Sequence, residues 1–303
     1  MRVIIVGCGY IGLPLGVELL RQGHAVSGIR RSAEGAASLQ KAGIQPLVAD
    51  ITKRSDLAKL TPEFDWVVNT VSSGQGSLDS YQEVYFEGAR NLLHWLEASP
   101  PKKFVYTSST SVYGQDDASQ VKETSPAEPA HDMGHVLAAT EKLFLDAARE
   151  KHFPAVILRL AGIYGPERGH YFQQYLKGEA KIPGHGERWL NMIHRDDVVG
   201  CIITALKSGH PGEIYNAVDD EPVPQIHFYR WLSETLGQNM PPFVPAASVA
   251  AAKRGATNKR VLNRKIKMEL GYLFRYPTFR QGYTAEIQRL DHLGQLNIQP
   301  EAR

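Results

Sequence analysis

The sequence predicts an α/β fold: an open, doubly wound parallel sheet joined to a smaller, mostly helical C-terminal lobe. Two observations carry this. Short β-branched runs alternate with helix-length periodic segments over the first 160 residues, and the alternation opens at a glycine-rich turn. A third marks where the sheet yields to a crevice. From Gly165 onward Pro166, Gly169, Gly178, Pro183, Gly184 and Gly186 punctuate short segments, the texture of loops around a binding site.

Val3–Val6, stopped by Gly7, has the length and branching of a buried parallel strand, and Leu13–Gln22 then repeats apolar residues at helical spacing. Strands follow at His24–Ile29, Ile44–Val48 and Trp66–Val71, with a helix over Ala33–Lys41. Helices over Ser80–Ala98 and Gly134–Lys151 lead to strands at Lys103–Thr107 and Ala155–Arg159. Helix Asp196–Lys207 and strand Glu213–Ala217 return to the sheet. The sheet domain is therefore expected to comprise residues 1–165 and 190–221, and the lobe residues 166–189 and 222–293. Lobe helices are expected at Ile226–Gly237, Asn263–Leu270 and Thr278–Leu290; Ala246–Ala252 reads as a helical turn and 294–303 as a polar tail.

With 303 residues and 43% hydrophobic composition the chain can bury a sizeable core. Its net charge of +2 supplies no global field for nucleic acid or anionic membrane. The apolar start at Met1–Val6 is too short for a signal peptide, and no run approaches ~18 apolar residues, so a cytoplasmic protein is expected. Cys8 and Cys201 make no disulfide framework and read as packing residues.

Gly7-Cys8-Gly9-Tyr10-Ile11-Gly12 fits G-x-G-x-x-G between a strand and a helix. In a Rossmann-type fold the first glycine makes the tight turn, the second admits a pyrophosphate to backbone amides, and the third lets helix and strand pack closely. The second strand ends Ile29-Arg30-Arg31-Ser32, with no acid before Glu34. An acid there would accept the ribose 2′-hydroxyl of NAD, whereas guanidiniums suit the 2′-phosphate of NADP, so NADP is the expected cofactor. Asp50, next to Ile51 at the end of the third strand, is placed to accept from the adenine amino group. The run Thr70-Val71-Ser72 would bring backbone close to the cofactor's ribose and phosphates.

These motifs are joined by Phe104–Gly114 (FVYTSSTSVYG), Leu158–Pro166 (LRLAGIYGP), Met192–Val198 (MIHRDDV), Tyr215–Pro222 and Asn258–Val261. Together they resemble the extended short-chain dehydrogenase/reductases, the NAD(P)-dependent epimerase/dehydratase superfamily, over nearly the whole chain. The resemblance implies a Ser at position 109 that bonds the reacting oxygen, and a Tyr-x-x-x-Lys pair that moves protons. Aligned on the helix that follows, those two positions hold Met133 and Leu137, and no Tyr-x-x-x-Lys occurs elsewhere. A supporting Asn on the preceding helix is replaced by Tyr85. The chain therefore reads as an atypical member.

Candidates to supply the missing acid/base are His135, near neutrality, and the phenols of Tyr85 and Tyr81. His131 and His135, four apart, do not make a zinc helix, because Asp132 stands where the Glu is needed, and no metal is expected. His194 and Asp197 read as organisers of the crevice. Tyr164, His170, Arg188, Trp189 and Arg275 would line the pocket if the family layout holds. The leading expectation is an NADP-dependent oxidoreductase or epimerase-like enzyme for a small polar metabolite. A non-catalytic NADP(H)-binding sensor or interaction module is the alternative, and a lyase or isomerase with a structural cofactor a third. A homodimer through the two long helices is what the resemblance allows.

Overall fold

The computed structural model describes residues 1–74, 76–246 and 257–296. Its central sheet has seven strands: β1 (Arg2–Val6), β2 (Ala25–Arg30), β3 (Gln45–Val48), β4 (Trp66–Asn69), β5 (Lys103–Ser109), β6 (Ala155–Leu160) and β7 (Ile214–Ala217). They lie in the order β3-β2-β1-β4-β5-β6-β7, every neighbour parallel. The order reverses between β1 and β4, which opens a crevice beyond the carboxyl ends of those strands.

Side chains alternate across the sheet as the pleat demands. Along β1, Val3 and Ile5 join one core with Leu15, Leu19, Val198 and Ile202, while Ile4 and Val6 join the other with Leu92, Phe104 and Phe144. Strands β4 and β6 are buried along their whole length, because helices cover both faces. A third core of Tyr164, Phe172, Tyr175, Ile182, Phe228, Phe279 and Tyr283 draws its members from either side of β7 in the chain. It forms the lobe beside the sheet.

The expected helices and sheet strands are present, with ends that move by a few residues. The helix expected over Ser80–Ala98 runs Leu78–Leu96, and Gln82–Glu87 within it form a wider π turn that no 3.6-residue periodicity announces. Helix His170–Leu176 and four pairings of two- or three-residue strands were not expected. Among the latter, Lys259–Val261 pairs with Ser119–Val121 and joins the C-terminal segment to the stretch that follows β5. Apart from Ala246, the alanine-rich segment lies outside the described residues, as does the tail beyond residue 296.

Cys8 and Cys201 are unpaired and buried, and burial pushes the Cys8 thiol up to about 12. Among the described residues no helix is long and apolar enough to cross a membrane.

Candidate cofactor and active site

The glycine turn is clamped between the exits of two strands. Cys8 N donates to Ile29 O of β2 (3.1 Å), and Thr70 Oγ1 donates to Gly7 O (3.0 Å) just after β4. Gly7 has φ +81°, and a Cβ there would stand 2.6 Å from Val71 Cα, so no larger residue fits. The ten-residue helix Gly12–Arg21 follows at once. The amides of Tyr10 and Ile11 donate to no acceptor among the described residues, and they stand at the positive end of that helix. Two unspent donors beside a close-packed glycine turn fit a dinucleotide diphosphate.

The two arginines after β2 take different positions. Arg30 is half-buried, donates from Nη1 to Cys8 O (3.2 Å) and lies against Gly35. Arg31 is exposed at the rim of a cavity of about 360 Å³ that is also lined by Asp50, Thr52, Ser77, Asp79, Ser80 and Glu83. Asp50 turns Oδ1 to Thr52 N (3.0 Å) and Oγ1 (2.9 Å). Ile51 is buried against Gly88, Val71 backs the glycine turn, and Ser72 is exposed.

Ser109 ends β5 half-buried, and its Oγ accepts from Ser111 N (3.1 Å) at the start of a single 3₁₀ turn. Tyr85 sits in the π turn. Its phenol oxygen accepts a long bond from Ser73 N (3.4 Å), in the loop after β4, and its ring lies 4.8 Å from that of Tyr81.

On helix Asp132–Lys151, Leu137 is buried in the core and Met133 is half-buried, whereas His135 is exposed. A helix advances ~100° per residue, so His135 stands ~200° round from both. The structure therefore turns His135 outward and does not bring it to Ser109.

The residues expected to line the pocket divide as well. Tyr164 is 1% exposed and stacks on Tyr283 at 4.2 Å inside the lobe core, so it is a packing residue and not pocket lining. His170 and Arg275 are exposed; Trp189 is half-buried beneath the Arg260 guanidinium (5.1 Å). His194 Nδ1 accepts from Asp196 N (3.2 Å) and opens helix Arg195–Ser208. Asp197, fully buried, accepts from Tyr272 Oη (2.7 Å), Arg275 N (2.7 Å) and Tyr276 N (2.9 Å).

Two features under the site carry no short motif. Glu141 and Arg159 form a buried bidentate ion pair, and Ser108, the neighbour of Ser109, donates to Glu141 (2.5 Å). Arg159 also lies over the Tyr113 ring at 4.7 Å. Lys259, 5% exposed, donates from Nζ to Tyr113 O (2.7 Å) and Thr257 Oγ1 (2.7 Å).

Burial, helped by the nearby Arg188 charge, lowers the Lys259 ammonium from 10.5 to about 8. Between pH 8 and 10.5 the unfolded chain then binds more protons at this site than the folded one, so this group makes stability rise with pH in that window. The rise is at most about 1.4 kcal/mol per pH unit. Urea unfolding of wild type and Lys259→Met at pH 7.5 to 9.5 should show a steeper upward trend in wild type; parallel trends would refute the assignment.

A profile described as the NAD dependent epimerase/dehydratase family matches residues 3–217. Protein YeeZ of Escherichia coli K12 is 30% identical over 288 residues, 91% of this chain and 96% of that one. A 3-diazoavenalumate denitrifying reductase of Streptomyces is 26% identical over 94% of this chain and 100% of its own length. The fold is that of dTDP-glucose 4,6-dehydratase from Bacillus anthracis, solved with NAD (TM-score 0.82, 18% identity, 98% of each chain). The chain is a member of the NAD-dependent epimerase/dehydratase family.

Proposed function

We propose that the protein is an NADP-dependent oxidoreductase or epimerase-like enzyme for a small polar metabolite, working without the usual Tyr/Lys pair. The observation that carries the cofactor choice is the exposed Arg31 guanidinium beside the Asp50 cavity, with Arg30 committed to the glycine turn. Arg31 would then read the 2′-phosphate, and Arg30 would back it. A bound nicotinamide would supply or accept hydride. The chain would contribute Ser109 Oγ–H as a donor to the substrate oxygen and the Tyr85 phenol as a proton carrier. The reductase among the relatives is consistent with this reading.

A second reading, a non-catalytic NADP(H)-binding module, is favoured by the outward turn of His135 and the buried, apolar Leu137. A homodimer of the kind the family resemblance allows would join helices that bear the charged triad Lys142–Asp146–Arg149 and the pair Glu87–Arg90.

Wild type should bind NADPH at least about tenfold more tightly than NADH, as one charge-assisted phosphate contact allows, and Arg31→Ala should erase the difference. Equal affinities in wild type would overturn the cofactor choice. Oxidation of bound NADPH by some fraction of a metabolite extract, lost in Ser109→Ala, separates the enzyme from the module; no turnover in any fraction favours the module.

A further inference from the structure

We propose that Arg168 is a cofactor ligand: its guanidinium, carried on a strap over the glycine turn, donates to the diphosphate of the bound dinucleotide. The proposal rests on the dinucleotide reading above and adds a residue to it.

The strap is the reversal at residues 165–168, closed by Arg168 N to Gly165 O (2.9 Å) and Gly165 N to Arg168 O (3.4 Å). Within it Glu167 has φ +64°, a conformation that a residue with a Cβ adopts only when its surroundings impose it. The glycine turn makes a contact with this reversal. Tyr10, between the second and third glycines, donates its phenol hydrogen to Pro166 O (2.9 Å) and so ties the strap to the mouth of the phosphate site.

The Tyr10 ring is also a platform. The Arg168 guanidinium lies over it at 4.1 Å and that of Arg195 at 5.5 Å. Arg195 is occupied by Asp196, through bonds of 3.1 and 3.0 Å. The Arg168 guanidinium, apart from its stack on Tyr10, has no hydrogen-bond or ion-pair partner among the described residues. Stacking uses the face of a guanidinium and leaves its rim of N–H donors free.

The unspent amides of Tyr10 and Ile11 belong to the same glycine turn whose tyrosine carries the Arg168 guanidinium. Donors thus converge from the turn below and the strap above, as recognition of a flexible dianion requires. A nucleotide-sugar substrate would offer the same diphosphate chemistry. The test separates the two sources.

Dissociation constants for NADPH, NADH, 2′-AMP and UDP would be measured by calorimetry on wild type, Arg168→Ala, Arg168→Lys and Arg31→Ala. NADPH and NADH should weaken by the same factor in Arg168→Ala, roughly tenfold or more. The 2′-AMP constant should not change, because that probe carries the 2′-phosphate and no 5′-phosphate. Arg168→Lys should recover only part of the loss, since an ammonium lacks the planar fork.

Unchanged dinucleotide binding in Arg168→Ala overturns the proposal, and weakened UDP binding with it would assign the guanidinium to a substrate. A parallel loss for 2′-AMP also overturns it. If wild type binds NADH as well as NADPH, the Arg31 assignment fails while a common loss in Arg168→Ala still supports Arg168. If wild type binds neither dinucleotide, both fail.

Discussion

Glu141→Ala is expected to destabilise the protein by about 3–5 kcal/mol, the usual cost of leaving one partner of a buried ion pair alone. Both side chains are nearly sealed from water, at 3% and 4% exposure, so neither solvent nor salt can substitute for the lost carboxylate. The loss would also orphan Ser108 Oγ–H and leave the Arg159 guanidinium with its Tyr113 stack alone, while Arg159 Nη1 already lacks a partner.

Replacing both charges, as Glu141→Leu with Arg159→Met, removes the unpaired charge and should recover much of the loss. Urea unfolding would measure both. A loss below about 1 kcal/mol for the single variant would show that water reaches the pair.

Asp197→Ala is expected to cost about 3 kcal/mol or more, since a phenol and two backbone amides lose their acceptor together inside the protein. All three donors lie in residues 272–276, so the carboxylate holds that segment against helix Arg195–Ser208. Asp197→Asn keeps one oxygen acceptor and should recover part of the stability. Faster cleavage by protease within 272–276, together with a lower unfolding midpoint, is the predicted signature. An unchanged midpoint in Asp197→Ala would mean that the segment is held by other contacts.

Much of the fold is written in local periodicity. Val3–Val6 and Trp66–Asn69 read as buried strands because both faces of a parallel sheet are covered, and the glycine turn is legible because it needs particular backbone freedom at fixed spacing. Pairings such as Lys259 with Ser119 are two- and three-residue events between distant segments, and no window along the chain contains both partners.

The site divides in the same way. Arg30 and Arg31 are adjacent and alike in sequence, and only packing against Gly35 and Cys8 O separates their tasks. His135 looked suitable by residue type, but its orientation depends on which side of the helix meets the core. Arg168 carried no signal, because its significance comes from a tyrosine bonded to Pro166, 156 residues away in the chain.

The position of β7 has a consequence for how the chain is made. Strand β6, Ala155–Leu160, is buried at all six residues and is flanked by β5 on one side and β7 on the other. Strand β7 arrives only after the chain has left the sheet to build part of the lobe. Until then β6 is an open apolar edge, a row of unpaired amides and carbonyls of the kind that recruits strands from other molecules. Pairing with β7 covers that fully buried strand, and it does so only once residues 214–217 have been synthesised.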